Sequence, residues 1–453
     1  MWRKNSELKI VYSFAFTFVI PLTGNNFKEL AVFFYHIFLL LYRAGIGIAS
    51  LWNAKARLWI DGRKDIFKRL ISELSTNDSA LIWFHCSSLG EFEQGRPVIE
   101  ALKSQIPNSK FLLTFFSPSG FEIRKDYKGA DWVFYLPLDS KRNAKNFFDT
   151  INPSLVVFVK YDYWYYYLTE CKKRNIPLLM TSAIFRNEQP FFKWYGSLHR
   201  RMLNCFTHFF VQDKESAALL TSINIKNATV AGDTRFDRVS EIAKNFTSIA
   251  VVEKYCDDSN VLVAGSTWPE DEKIIKEVTT EFPRLKLIIA PHEIDKEHLQ
   301  QLKILFPDSI FYSELSEGVI SDTTHRSLFT THNCLIIDNI GMLSRLYHYA
   351  TIAYIGGGFN KGIHNTLEAA VYGKPVLFGP NYKKFKEAAG LIETGGGISV
   401  ASGDQLSTVV KKLLGDKDEL KLRSKKAFEF VNENRGATEK IIHYIKENRL
   451  LTN

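Results

Sequence analysis

From residue 80 onward, short apolar runs alternate with longer segments of mixed polarity. Residues 81–85, 111–115, 132–136, 155–159, 178–182, 208–211 and 228–231 form one series of such runs. A second series begins at 261–264 and continues through 287–290, 334–337, 352–355 and 375–378. Short apolar runs with helical patterns between them predict strands of a parallel sheet with helices on both faces. The expected class is therefore α/β, with two Rossmann-like domains facing a cleft and ligands bound beyond the carboxyl ends of the strands. The two series meet in residues 232–259, and the expected division is 1–60, 61–235 and 236–453.

Ahead of this alternation lie two apolar stretches, residues 10–22 and 30–42, of 13 residues each. Both fall short of the roughly 20 residues that a helical span needs. Arg3, Lys4 and Lys9 precede the first, as in a signal peptide, but no small-x-small cleavage site follows it. Arg43, Lys55, Arg57, Arg63 and Lys64 follow the second, interleaved with Trp52 and Trp59. Cations and tryptophans beside an apolar body predict a membrane-associated segment lying at an anionic surface. A true span, a signal sequence and core packing are the competing readings.

Composition narrows the partners. Lys+Arg number 58 against 49 Asp+Glu, a net charge of +9 that suits anionic partners. A nucleotide, a phospholipid headgroup and nucleic acid all satisfy that charge, and of these nucleic acid is not an expected partner. Cys86, Cys171, Cys205, Cys256 and Cys334 are scattered without a CxxC pair, which fits a reducing compartment. No His, Cys or carboxylate run has metal-ligand spacing, and neither a P-loop lysine nor a GxSxG elbow is present. Neither a bound metal nor a resident cofactor is expected.

The candidate chemistry clusters just after strand ends. Cys86-Ser87-Ser88-Leu89-Gly90-Glu91 turns from the first strand into a helix. Glu91 suits a general base there, and equally suits a simple complement to the helix dipole. Ser117-Pro118-Ser119-Gly120 repeats the device after the next strand. Lys160, Asp162 and Trp164 lie among Tyr161, Tyr163, Tyr165, Tyr166 and Tyr167, a run suited to sugar stacking, to an acceptor mouth or to an aromatic core helix. In Gly232-Asp233-Thr234-Arg235-Phe236-Asp237, Arg235 can clamp a phosphate or carboxylate, or pair structurally with an acid.

In the second series, Gly265-Ser266-Thr267-Trp268 offers hydroxyls and N–H groups, and Pro291-His292-Glu293 can meet a base or ribose. Gly356-Gly357-Gly358 follows a strand and precedes a helix expected over 365–372, with Asn365 at its N-cap. Strand, glycine loop and helix start together predict an anion site, with a tight ligand-free turn as the alternative. Gly356, Gly358 and Gly362 also loosely echo a dinucleotide fingerprint, which would make the chain an NAD-binding oxidoreductase. The spacing is off, however, and no acidic residue stands about 20 positions beyond the loop.

Taken in order, these motifs resemble the 3-deoxy-D-manno-octulosonic acid (Kdo) transferases of lipopolysaccharide synthesis, which are GT-B glycosyltransferases. The resemblance runs over about residues 42–397. It rests on His85-Cys86-Ser87-Ser88-Leu89-Gly90-Glu91, Ser117-Pro118-Ser119-Gly120, Gly232 to Asp237, Ile340-Gly341-Met342-Leu343, and His364-Asn365-Thr366-Leu367-Glu368 followed by Gly379-Pro380. It implies metal-independent transfer of Kdo from CMP-Kdo to a lipid A precursor (lipid IVA) at the cytoplasmic face of the inner membrane, with Glu91 as the base. It also implies CMP contacts around Pro291, His292, Ile340, Gly341, Met342 and Asn365, Thr366, Leu367 and Glu368. Ser88, Gly90, Ser117, Ser119, Gly120, Ser266, Gly357, Gly358 and His364 complete the positions expected to face substrates.

Two departures from the family pattern stand out. Arg235 occupies a position where the family usually has a lysine assisting the transition state. Where the family has two acidic positions followed by Trp-Pro-Asn, this chain has Lys160, Asp162 and Trp164-Tyr165-Tyr166. Either Asp162 takes the acidic role or this branch places its charges differently. About the first 28 residues look like an extension. A GT-B transferase using another nucleotide sugar is the alternative function, and a non-catalytic membrane-surface binder is a third.

Overall fold

The computed structural model of the chain describes residues 25–74, 79–317, 332–360 and 362–451, with side chains from residue 30 onward. The apolar stretch at 10–22 and the signal-peptide reading lie outside the described residues. The chain forms two compact units, Met1–Thr234 with Gly436–Asn453, and Arg235–Arg435.

Each unit is built on one parallel sheet. In the first, β1 (Leu81–Cys86), β2 (Lys110–Phe115), β3 (Trp132–Tyr135), β4 (Leu155–Val159), β5 (Leu178–Ala183), β6 (His208–Val211) and β7 (Ala228–Val230) lie in the order β3-β2-β1-β4-β5-β6-β7. In the second, β8 (Val261–Thr267), β9 (Lys286–Pro291), β10 (Ser309–Phe311), β11 (Cys334–Ile336), β12 (Ile352–Ile355), β13 (Val376–Phe378) and β14 (Gly397–Ser399) lie in the order β10-β11-β9-β8-β12-β13-β14. Strand order therefore reverses between β1 and β4 in one sheet and between β8 and β12 in the other. Open parallel sheets hold their ligands at such switch points.

The central strands are largely apolar because both faces are covered. Leu81 and Trp83 enter one core cluster of the first unit, while Ile82, Phe84 and Cys86 enter another on the opposite face. Val261 and Val263 are likewise separated from Leu262 and Ala264 in the second unit. Among the described strands, β10 and β14 have no counterpart in the expected series. At three residues each they carry no periodic signal.

The last helix, Ala437–Glu447, belongs to the first unit rather than the second, where it was expected. Gly436 turns the chain at φ 100, and Ala437, Ile441, Ile442 and Ile445 pack with Phe92, Val98, Ile99 and Leu102. Its apolar stripe finds a partner far away in sequence, which periodicity cannot reveal.

The second apolar stretch is longer than it reads. Helix Asn25–Ala49 runs for 25 residues, and its segment Leu30–Ala49 is by length and composition apolar enough to cross a membrane. Gly45 and Gly47 do not end it, because glycine weakens a helix without breaking it. Ala31, Tyr35 and Leu39 are buried in the first unit's core, while Phe33, Phe34, Leu40, Leu41 and Ile48 are exposed. Tyr35 donates its hydroxyl to buried Asp139 at 2.6 Å. Asp139 also accepts the N–H groups of Tyr166 and Tyr167, closing the start of helix Tyr165–Lys173. Trp164, Tyr165 and Tyr167 of the aromatic run pack into this core, while Tyr161, Tyr163 and Tyr166 are half-buried.

Candidate functional site

At the first switch point, Ser88 holds the N-cap position of helix Leu89–Gln105. Its hydroxyl donates to Glu91 Oε2 at 3.2 Å instead of capping the helix. Glu91 sits half-buried in the first turn, facing the positive end of the helix dipole. One turn later, buried Gln94 donates to Asp233 Oδ1 at 3.1 Å, and its carbonyl accepts the Thr234 hydroxyl at 2.6 Å. The Glu91 helix is thereby tied to the Gly232-Asp233-Thr234 turn. Gln94 was not a sequence candidate. Nothing in its local pattern separates it from an ordinary helix residue.

The neighbouring loops converge on the same edge. Ser117 donates its N–H to the Ser87 carbonyl at 2.9 Å, and the Ser117 and Ser119 hydroxyls are 2.8 Å apart. Gly120 is a packing glycine, since a Cβ there would lie 2.3 Å from the Phe115 ring. At the end of β4, Lys160 adopts φ 70, a left-handed conformation costly to a residue with a side chain. Its Nζ lies 5.3 Å from the Tyr161 ring centre.

Asp162 is buried, and its Oδ1 accepts the Ser87 hydroxyl. Its Oδ2 lies 3.4 Å from His85 Nε2, which accepts Trp164 Nε1–H at 3.1 Å. His85 Nδ1 is 2.8 Å from the Thr114 hydroxyl. Burial pushes the His85 imidazole down to about 3, so the ring is neutral at pH 7. Burial, reinforced by the Glu91 charge, lifts the Asp162 carboxyl well above the usual carboxylate range. Glu91, Ser87, Ser88 and Asp162 thus form one group, with His85 and Thr114 beneath.

The second unit builds its own constellation. Ser266 bulges out of β8 at φ 53, and Trp268 leads into helix Pro269–Glu281. Trp268 and His292 stack at 4.8 Å, His292 and His364 at 4.3 Å, and Trp268 Nε1–H donates to His364 Nε2 at 3.3 Å. Burial and the neighbouring His292 push His364 down to about 4. Pro291 closes β9 just before this cluster. Ile340 is exposed beside Gly341 at φ 95, whereas Met342, Thr366 and Leu367 are buried.

The glycine loop differs from the expected cradle of free donors. Gly356 N–H donates to Gly265 O at 2.9 Å, and Gly357 N–H to Asp271 Oδ2 at 2.8 Å. Its glycines serve close packing. A Cβ on Gly356 would lie 2.3 Å from Ser266 O, and one on Gly358 2.5 Å from the Gly379 backbone. The helix beyond it spans only Leu367–Ala370, shorter than the expected 365–372. Asn365 still marks its start, accepting Leu367 N–H at 3.2 Å and donating to Glu368 Oε1 at 3.0 Å.

Asp271 was missed. It also accepts Trp268 N–H at 2.9 Å and the Tyr354 hydroxyl at 2.8 Å. An acid at the third helical position after Trp268 was the available signal. Arg235 pairs with buried Glu387 at 2.8 Å, so one of its nitrogens is held by a structural acid.

Comparisons with known proteins bear on this arrangement. Residues 64–238 match the family model described as 3-deoxy-D-manno-octulosonic-acid transferase (kdotransferase). The chain is 26% identical to the 3-deoxy-D-manno-octulosonic acid transferase of Rickettsia typhi over 420 residues, covering 89% of this chain and 87% of that one. It is 26% identical to the enzyme of the same name from Aquifex aeolicus, over 80% of this chain and 94% of the relative. Among solved structures, a glycosyltransferase from Rickettsia africae superposes with a TM-score of 0.53 at 15% identity, over 83% of this chain and 100% of that one, a likeness of fold. With the motif containing Glu91 inside the matched region and the relatives aligned over both units, the chain is similar to the 3-deoxy-D-manno-octulosonic acid transferases over most of its length.

Proposed function

We propose that this chain transfers Kdo from CMP-Kdo to a lipid A precursor, with Glu91 as the general base. The observation that carries the proposal is the placement of Glu91. It is a half-exposed carboxylate at the switch point of the first sheet, oriented by the Ser88 hydroxyl at 3.2 Å, inside the region matching the family model. Glu91 removes the acceptor hydroxyl proton as the oxygen attacks the anomeric carbon, and CMP departs. Positioned base catalysis of this kind contributes about 10²–10⁴-fold.

The second unit takes the donor. Its switch point brings Ser266, the Trp268–His292–His364 cluster and the Asn365–Glu368 turn to one sheet edge, where rings and hydroxyl acceptors suit a nucleoside. Arg235, which also pairs with Glu387, supplies positive charge to the departing phosphate. Asn25–Ala49 lies along the cytoplasmic membrane surface rather than crossing it. A helix with Ala31, Tyr35 and Leu39 packed into a folded core has only its outer face left for lipid. Exposed Leu51 and Trp52, with Lys55 and Arg57 beyond, extend that face toward anionic headgroups.

Incubation with CMP-Kdo and lipid IVA, read by mass spectrometry, tests the proposal. The expected product is lipid IVA heavier by one or more Kdo units. Transfer from a UDP-sugar and none from CMP-Kdo would replace the donor assignment.

A further inference from the structure

We infer that Asp162 is held as the uncharged carboxylic acid, its proton directed from Oδ2 to His85 Nε2, and that it is a positioning residue that leaves Glu91 as the anionic member of the pair. The second half of this inference rests on Glu91 being the base.

The hydrogen-bond directions require the proton. Asp162 Oδ1 accepts the Ser87 hydroxyl, but Oδ2, buried, receives no hydrogen bond from the described residues. What faces Oδ2 is His85 Nε2 at 3.4 Å. Trp164 aims an N–H at the same nitrogen from 3.1 Å, and indole nitrogen is a donor only, so Nε2 presents its lone pair. The ring proton is then on Nδ1, where the Thr114 oxygen accepts it at 2.8 Å. Thr114 can do so, because its oxygen also accepts Trp83 Nε1–H at 2.8 Å while its own proton points to Phe84 O at 3.4 Å. A doubly protonated His85 would oppose its N–H to that of Trp164. An ionised Asp162 would oppose its lone pairs to that of Nε2. A proton on Oδ2 removes both conflicts and leaves Nε2 facing two donors, Trp164 Nε1–H at 3.1 Å and the acid at 3.4 Å.

The surrounding charges point the same way. Glu91 acts on Asp162 as a like charge, and of two carboxyls in one site the more buried keeps the proton. Arg63, a half-buried cation whose field reaches His85, directs Nε, Nη1 and Nη2 to the carbonyls of Leu136, Trp59 and Phe116. Burial displaces Asp162 upward, outweighing the Ser87 hydroxyl and N–H that favour the carboxylate, and displaces His85 downward, in agreement with this assignment. The proton balance of transfer is then simple. The acceptor proton goes to Glu91 and leaves to solvent from there, while Asp162 keeps its own throughout.

Asp162→Asn tests this, because the amide N–H can donate to His85 Nε2 while the amide oxygen accepts from Ser87. Its kcat/KM for transfer is expected within about threefold of wild type. A folded Asp162→Asn losing about 10²-fold or more would mean that the negative charge is needed, and would overturn the inference. Asp162→Thr, also an uncharged donor, carries the same test if the asparagine variant does not fold. Infrared spectra of protein labelled with [¹³C]aspartate give a readout that a merely structural role would not move. At pH 8 a carboxylic-acid carbonyl band is expected in wild type and is lost in the variant. Its absence from wild type, or its persistence unchanged in the variant, overturns the inference. The band is read without substrate, so failure of the Glu91 assignment would appear separately, as turnover by Glu91→Gln with the band intact.

Discussion

Asp271 Oδ2 accepts the Gly357 N–H at 2.8 Å, so a donor that a glycine loop would offer to an anion is already spent inside the second unit. The same carboxylate holds Tyr354 and the Trp268 N–H. Asp271→Ala therefore leaves three donors without their acceptor, two of them on the strand and loop that carry Gly357. Loss of about 2–4 kcal/mol of stability is expected, measured by denaturant unfolding. CMP affinity should fall with it, because the loop is no longer fixed. Unchanged stability would show that water replaces the carboxylate.

The packing role of the loop glycines separates two kinds of glycine. Gly358→Ala drives a methyl against the Gly379 backbone, where neither side can yield, and should cost about 1–3 kcal/mol. Gly341 has open space around its Cβ position but sits at φ 95, so Gly341→Ala should cost only backbone strain of about 1–2 kcal/mol. Thermal melts of the two variants, combined with CMP titration, distinguish a steric from a conformational requirement.

Asp139 joins the apolar helix to the first unit and predicts a pH dependence. Burial, outweighing the hydrogen bonds from Tyr35, Tyr166 and Tyr167, lifts its carboxyl from 3.8 to about 6. A carboxyl raised in the folded state binds its proton more tightly folded than unfolded. Its contribution is thus complete below about pH 4 and falls as pH rises through about 6, by up to about 3 kcal/mol. Asp139→Asn lacks this titration. It should gain on wild type across that window in melts measured from pH 4 to pH 7.

Membrane attachment is expected to reside in the outer face of helix Asn25–Ala49. Leu40→Glu and Leu41→Glu change residues that are each 67% exposed, so the fold should survive. Each removes apolar burial in lipid worth about 1.5–3 kcal/mol, roughly 10- to 100-fold in partitioning. Co-sedimentation with phosphatidylglycerol-containing vesicles measures this. Partitioning equal to wild type would place the attachment elsewhere.

Much of this architecture was legible from periodicity, because strands buried on both faces leave continuous apolar runs. Residues 81–85 and 352–355 mark β1 and β12 almost to the residue. The Ser88–Glu91 pairing was legible in kind, since a hydroxyl and an acid at the start of a helix announce themselves. Sequence spacing fails where a partner is distant. Nothing local to Gly357 tells that Asp271 takes its N–H, nor does the stripe of Ala437–Glu447 tell which unit it covers. His85 stood inside a quoted motif, yet only its contacts with Thr114, Asp162 and Trp164 reveal a neutral ring beneath the carboxyl pair.

The most direct test of the account is Glu91→Gln, assayed for Kdo transfer to lipid IVA alongside CMP-Kdo binding by calorimetry. Glutamine keeps the shape and can still accept the Ser88 hydrogen bond, but it cannot take a proton. Transfer is expected to fall by about 10²–10⁴-fold with CMP-Kdo affinity unchanged within about twofold. Wild-type turnover in a folded Glu91→Gln protein would contradict the assignment of Glu91 as the base.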